Sequence, residues 1–163
     1  MIFDSFKEDC RYPSIDNDIF GLCDDENNTK AYPDTAHRKN WIAAVSNPGR
    51  LNIVFTAIDK CVINDHEAQG LSRCDGMLTT DNHLYLVELK NKKPSWREEA
   101  IEQLSSTIVL LKTNHDIARF KKRKTYACNK RADKFVVIDN EFNKAFYHKT
   151  GFRIDVQGEI IVV

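Results

Sequence analysis

The sequence predicts a mixed α/β fold, a central mixed sheet with flanking helices, in one domain of 163 residues. Three observations lead there. Residues 72–79 and 83–90 read as two strands joined by a tight turn at Asp81-Asn82, both residues that tolerate positive φ. From Ser95 or Trp96 to about Thr113, the residues Ile101, Leu104, Ile108 and Leu111 recur along one helical stripe. The stretches TYACNK and KFVVID then return to strand composition.

Taken in order, residues 1–34 are polar, turn-rich and acidic, which predicts irregular structure with a short helix. TAHRKNWIAAVSNPG offers an N-cap at Thr35 and a short helix that Asn47-Pro48-Gly49 must end. In RLNIVFTAIDKC, Leu51, Val54, Phe55 and Ile58 fall at helical spacing, so a helix is expected over about 50–60, with a short strand near Cys61–Asn64. The hairpin follows, then the long helix. Pro94 and Ser95 suit that helix's start, and Glu98 and Glu99 sit where its dipole favours negative charge. A short helix near 141–148 and a closing strand or hairpin in RIDVQGEIIVV complete the chain. The expected division is an N-terminal extension (1–49), a core (50–130) and C-terminal strands with a helix (131–163) within a single domain.

Composition narrows the function classes. Apolar content of 42% and charged content of 29% describe a chain that folds. The longest apolar runs fall far short of the roughly 20 residues that span a bilayer, and MIFDSFKEDC lacks a secretory pattern, so no membrane association and a cytoplasmic location are expected. The five cysteines are scattered, without CxxC or zinc spacing, and are expected to be reduced. Net charge is zero but unevenly placed. Residues 1–34 hold nine acids against three bases, whereas residues 89–131 hold twelve bases against four acids. The second segment is the one expected to meet phosphates, unless FKKRK is only a solvated loop.

The chemistry concentrates in RCDGMLTTDNHLYLVELK. Alternate strand residues share a face, so Glu88 and Lys90 lie with Leu84 and Leu86. A two-residue turn at Asp81-Asn82 pairs Thr80 with His83 and, further along, Asp75 with Glu88 and Arg73 with Lys90. Like charges opposite one another on a sheet are destabilising, and a divalent cation would relieve them. Two carboxylates with open coordination positions suit Mg²⁺ or Mn²⁺, and a neighbouring lysine offsets charge developing at phosphorus. These residue types match phosphodiester hydrolysis.

Asp75, twelve residues, Glu88, Leu89, Lys90 resembles the D-x(n)-E-x-K signature of the PD-(D/E)XK, restriction-endonuclease-like, nuclease superfamily. The order helix, three strands, helix, strand over about 50–130 is similar to its αβββαβ core. The resemblance implies that Asp75, Glu88 and the backbone carbonyl of Leu89 hold the metal and that Lys90 assists the nucleophile. It further implies a first-helix acid, for which Asp59 is the nearest match, and a helper glutamine, for which Gln103 is the nearest. Cys74 stands where the family name has proline. Nucleic acid, DNA before RNA, is the implied partner, with Arg73, Lys92, Lys93, Trp96 and Lys130 as contacts and a homodimer as one way to reach two strands.

Plainer readings stand beside these. Asp59 suits a solvated or capping role, and Trp41 and Trp96 suit core or rim positions. The five histidines are isolated, and neither a nucleophile elbow nor a Gly-rich phosphate loop occurs. The alternative to an endonuclease is a catalytically silent nuclease-like domain that binds nucleic acid, or a protein partner in a defence or toxin-immunity system, through its charged ends.

Overall fold

Period-two alternation governs more of the chain than helical periodicity does. In the computed structural model, which describes residues 3–67, 70–91, 96–130, 135–136 and 140–163, the strands are β1 (Ile19–Cys23), β2 (Tyr32–Asp34), β3 (Ala43–Ser46), β4 (Val54–Ala57), β5 (Gly76–Thr79) and β6 (His83–Lys90). After helix α1 (Trp96–Asn114) come β7 (Lys122–Asn129), β8 (Phe135–Val136), helix α2 (Asn140–Thr150), β9 (Arg153–Gln157) and β10 (Glu159–Ile161). The class is mixed α/β, with two mixed sheets and two helices among the described residues.

The larger sheet has the order β4-β5-β6-β7-β9-β8, and the smaller β10-β3-β1-β2. Their facing sides share one apolar core: Phe20, Leu22 and Val45 from the small sheet meet Phe55, Leu78, Tyr85, Val87 and Tyr126 from the large one. On the large sheet's other face, Met77, Leu84, Leu86, Ala127 and Ile154 pack against α1 and α2 through Ala100, Leu104, Ile108, Leu111 and Phe146. The sheet is therefore buried on both sides, which explains why β6 runs apolar from Leu84 to Val87 instead of alternating with polar residues.

The hairpin forms in the expected register. Thr80 donates its N–H to the His83 carbonyl at 3.1 Å, and Thr79 pairs with Leu84, Leu78 with Tyr85, Met77 with Leu86 and Gly76 with Val87. At Gly76 a Cβ would come within 2.3 Å of the Phe55 ring and 2.9 Å of the Thr56 carbonyl, so only glycine lets β4 lie this close. The expected strand after α1 and the second helix also form, at β7 and α2.

Several expectations are corrected. No helix forms over 50–60. Ile53, Phe55 and Ala57 alternate into the core between the sheets, and the β-branched Ile53, Val54 and Thr56 suit extended backbone. Cys61–Asn64 is a turn region, and the segment from Thr35 yields a single 3₁₀ turn (Arg38–Asn40) followed by β3. Residues 1–49, expected to be an N-terminal extension that is mainly irregular up to residue 34, supply three strands of the small sheet. RIDVQGEIIVV does not fold back on itself: β9 stays in the large sheet, while β10 crosses to pair with β3 in parallel. Cys10 and Cys61, expected to be reduced, form a disulfide across a sequence separation of 51, and Cys23, Cys74 and Cys128 are buried free thiols. Within the described residues, no helix is long and apolar enough to cross a membrane.

Candidate active site

The hairpin register sets the site at the end away from its turn. Continued one residue beyond the Gly76–Val87 pair, that register sets Asp75 opposite Glu88. The Asp75 N–H donates to Glu88 Oε1 at 3.1 Å, and Asp75 Oδ2 accepts the Leu89 N–H at 2.7 Å. Each carboxylate is thereby fastened to the other residue's strand. Lys90 Nζ lies 3.0 Å from Glu88 Oε2, on the face of β6 that meets α1. Asp75, Glu88 and Lys90 are 8%, 2% and 7% exposed, an unusual depth for three charged residues.

Burial dominates the electrostatics of the two acids. It pushes the Asp75 carboxyl up to about 7, against the Leu89 N–H, which favours the ionised form, and with help from the charges of Asp24 and Asp59. Burial, reinforced by the charge of Asp75, raises Glu88 well above the carboxylate range despite the opposing Lys90 ammonium. For Lys90, burial pulls the pKa down, but the Glu88 and Glu99 carboxylates outweigh it and the net shift is upward. Lys90 is held as a cation between two acids.

Two of these neighbours were not singled out from the sequence as site residues. Glu99, in the first turn of α1, places Oε1 3.0 Å from Lys90 Nζ. Its only signal was its position in the first turn of the helix after the motif, which does not reveal which strand residue it faces. Asp24 follows β1, accepts the Glu26 N–H at 3.0 Å, and has its own pKa raised by burial and by nearby acids including Asp59. Nothing in the acidic N-terminal run marks Asp24 over Asp25 or Glu26. It reaches the site's field because β1 packs in a second sheet behind the hairpin.

Gln103 donates from Nε2 to the Arg73 carbonyl at 3.3 Å, while its Oε1 is buried without a hydrogen-bond partner. One turn on, Thr107 Oγ1 accepts the buried Cys74 N–H at 2.8 Å. The face of α1 carrying Gln103 and Thr107 thus holds the strand leading into Asp75. Asp59 lies in the turn after β4 instead of on a helix, and its Oδ1 is 2.8 Å from Arg73 Nε. Arg73 also pairs with Asp65, so its guanidinium ties two turns together. Trp96 is 8% exposed in the core beneath α1, with Arg97 over its ring. Lys130 is exposed at the end of β7, with Nζ donating to the Lys39 carbonyl at 2.7 Å. Lys92 and Lys93 lie outside the described residues.

Among the described residues no group of three histidine, cysteine or acidic side chains is gathered to hold a metal. The donor set on the strands is Asp75 and Glu88, with the Leu89 carbonyl between Glu88 and Lys90 in sequence. That set fits Mg²⁺ or Mn²⁺, which are held by one or two protein carboxylates and fill their remaining positions with water and phosphate oxygens. A cation there would also favour the ionised form of two buried acids whose pKa values are raised. Comparison with protein-family models, with curated proteins and with solved structures finds no match to this chain.

Proposed function

We propose that the chain is a divalent-metal-dependent nuclease of the PD-(D/E)XK type, a restriction-endonuclease-like fold variant, that hydrolyses phosphodiester bonds in nucleic acid, DNA before RNA. One observation carries the reading: Asp75 and Glu88 face each other across the hairpin, buried, with Lys90 Nζ 3.0 Å from Glu88. β4, β5, β6, α1 and β7 supply a βββαβ order around them, and strand β3 precedes β4 where a family member would have its first helix.

In this reading Asp75 and Glu88, with the Leu89 carbonyl, would hold Mg²⁺ or Mn²⁺. A bound ion supplies Lewis-acid polarisation of the phosphoryl group and acidifies an attacking water. Leu89 N–H fixes the Asp75 carboxylate, and the Asp75 N–H fixes that of Glu88, so both acids are aligned before substrate arrives. Lys90 keeps its proton at neutral pH and presents an ammonium where charge accumulates at phosphorus. Gln103 Oε1, buried and unpartnered, is an acceptor available to orient a water.

A second reading, a silent nuclease-like domain that binds nucleic acid, draws on the depth of the same residues and on the engagement of Lys90 by both Glu88 and Glu99. The two are separated by incubating the purified protein with linear, circular, single-stranded and branched DNA, and with RNA, in Mg²⁺ or Mn²⁺. The nuclease reading expects cleavage that Asp75→Ala and Lys90→Ala remove. No cleavage of any substrate, with salt-sensitive binding retained in both variants, favours the silent domain.

A further inference from the structure

A second feature lies at the opposite end of the same strands. Where β6, β7 and β9 begin, a cleft of about 420 Å³ is lined by Lys121, Lys122, Arg123, Lys124 and Arg153, with Tyr85 and Tyr147. Within the described residues none of these five cations has an Asp or Glu partner at ion-pair distance. Lys121 and Lys122 donate only to the backbone oxygens of Ala118 and Val163, while Lys124 lies over the Tyr85 ring and Arg153 over the Tyr147 ring. Among the described residues, the acid whose charge reaches Tyr85 is Asp155.

An independent feature points to a missing ligand. Tyr85 is fully buried, and its hydroxyl has no hydrogen-bond partner. A buried phenol left without an acceptor is costly, and a ligand oxygen entering the cleft would provide one. A smaller cleft of about 230 Å³ continues past Tyr147 and Arg153 and adds Lys144. Tyr147, 48% exposed, leaves a ring available for stacking. Cations without Asp or Glu partners along a groove, with an exposed aromatic at its edge, suit the backbone of a nucleic-acid strand.

We infer that this cleft, built from Lys121, Lys122, Arg123, Lys124, Arg153 and the Tyr85 hydroxyl, binds nucleic-acid phosphates away from the site of cleavage. The choice of ligand rests on the nuclease reading. The register that pairs Tyr85 with Lys124 pairs Lys90 with Asn129, five residues further along. At about 3.3 Å per residue the cleft and Lys90 are ~17 Å apart along β6 and Glu88 is ~10 Å from the cleft, so the phosphates held here lie a few nucleotides from the scissile one.

The test is titration of a fluorescein-labelled oligonucleotide, single-stranded and as duplex, in EDTA at several salt concentrations. Lys121→Glu/Lys122→Glu/Arg153→Glu changes only exposed positions and should fold normally by circular dichroism. It is expected to weaken binding at least about tenfold and to flatten the salt dependence by ~0.7 to 0.9 for each phosphate no longer neutralised. Tyr85→Phe is expected to weaken binding by a smaller factor, and Asp75→Asn, which removes a negative charge at the other site, not to weaken it. Unchanged affinity and salt slope in the triple variant overturn the inference. Loss of binding in Asp75→Asn but not in the triple variant also overturns it, while sparing the nuclease reading. Conversely, wild-type protein that binds through the cleft but cleaves nothing with any metal sinks the nuclease reading and leaves the cleft standing. Inorganic polyphosphate that binds in a triple-variant-sensitive manner when the oligonucleotide does not would show an anion site of another kind and refute the nucleic-acid assignment.

Discussion

Asp75 and Glu88 are locked reciprocally: the Asp75 N–H reaches Glu88 Oε1 at 3.1 Å, and the residue after Glu88 returns an N–H to Asp75 Oδ2 at 2.7 Å. This latch holds two acidic groups together in a region almost closed to solvent. Its consequences can be measured without knowing the substrate.

The first concerns pH. The Asp75 carboxyl is raised from 3.8 to about 7 in the folded chain, and Glu88 shifts in the same direction. Between those values the folded state binds more protons than the unfolded state, so stability falls as pH rises from about 4 to about 7. Urea unfolding in EDTA across that range is expected to show the decline. Asp75→Asn is expected to flatten it, and saturating Mn²⁺ to reverse it at the upper end. A stability that rises steadily from pH 4 to pH 7 in EDTA contradicts the burial of the pair.

The roles of Lys90 and Glu99 separate by variant. Removing a preorganised charge that acts on the transition state costs about a hundredfold or more, so Lys90→Ala is expected to lose at least ~10²-fold in kcat with little change in KM. Glu99 acts on this site through Lys90 Nζ and is half-exposed, so Glu99→Gln is expected to change the rate by less than about tenfold. A larger loss in Glu99→Gln than in Lys90→Ala would reverse the assignment.

Thr107 and Gly76 test the scaffold. Thr107→Val leaves the buried Cys74 N–H without an acceptor, which should destabilise the chain by about 1–3 kcal/mol. Gly76→Ala drives a methyl group into the Phe55 ring and the Thr56 carbonyl, with an expected cost of ~1–3 kcal/mol or more. Denaturant midpoints at constant m-value read both, and a change under about 0.5 kcal/mol in either variant would show that the interaction it removes or crowds does not form.

The disulfide makes a separate prediction. Cys10–Cys61 closes a long loop that joins the N-terminal turn to the turn after β4. Loop-closure entropy assigns it about 4 kcal/mol for a separation of 51 residues, so Cys61→Ser or full reduction should lower stability by roughly 2–4 kcal/mol. Titration of the unfolded, unreduced chain should find Cys23, Cys74 and Cys128 as its free thiols. Five free thiols would refute the pairing.

The hairpin was legible because its information is local. Two adjacent turn residues and strict alternation determine which side chains face one another, and Asp75 against Glu88 follows from that alone. Helix α1 was legible for the same reason, although its buried side is turned toward Trp96, Ala100 and Thr107, leaving Ile101 only partly covered. Residues 50–60 misled because Leu51, Val54, Phe55 and Ile58 satisfy a helical spacing while Ile53, Phe55 and Ala57 satisfy a strand spacing. What decided between them was the small sheet supplied by residues 19–46, a partner no local window contains. Asp24, Glu99 and the Cys10–Cys61 bond were hidden for that reason too: each depends on elements brought together from distant parts of the chain.

The central claim is that Asp75, Glu88 and Lys90 form a metal-dependent phosphodiesterase centre. Its most direct test is the initial rate of DNA cleavage as a function of Mg²⁺ or Mn²⁺ concentration for wild type, Asp75→Asn, Glu88→Gln and Lys90→Ala, each verified as folded. Saturable, metal-dependent cleavage by the wild type, abolished by EDTA and reduced at least ~10²-fold in every variant, is expected. Cleavage that proceeds at the wild-type rate in Asp75→Asn and Glu88→Gln, or that ignores the metal, would contradict it.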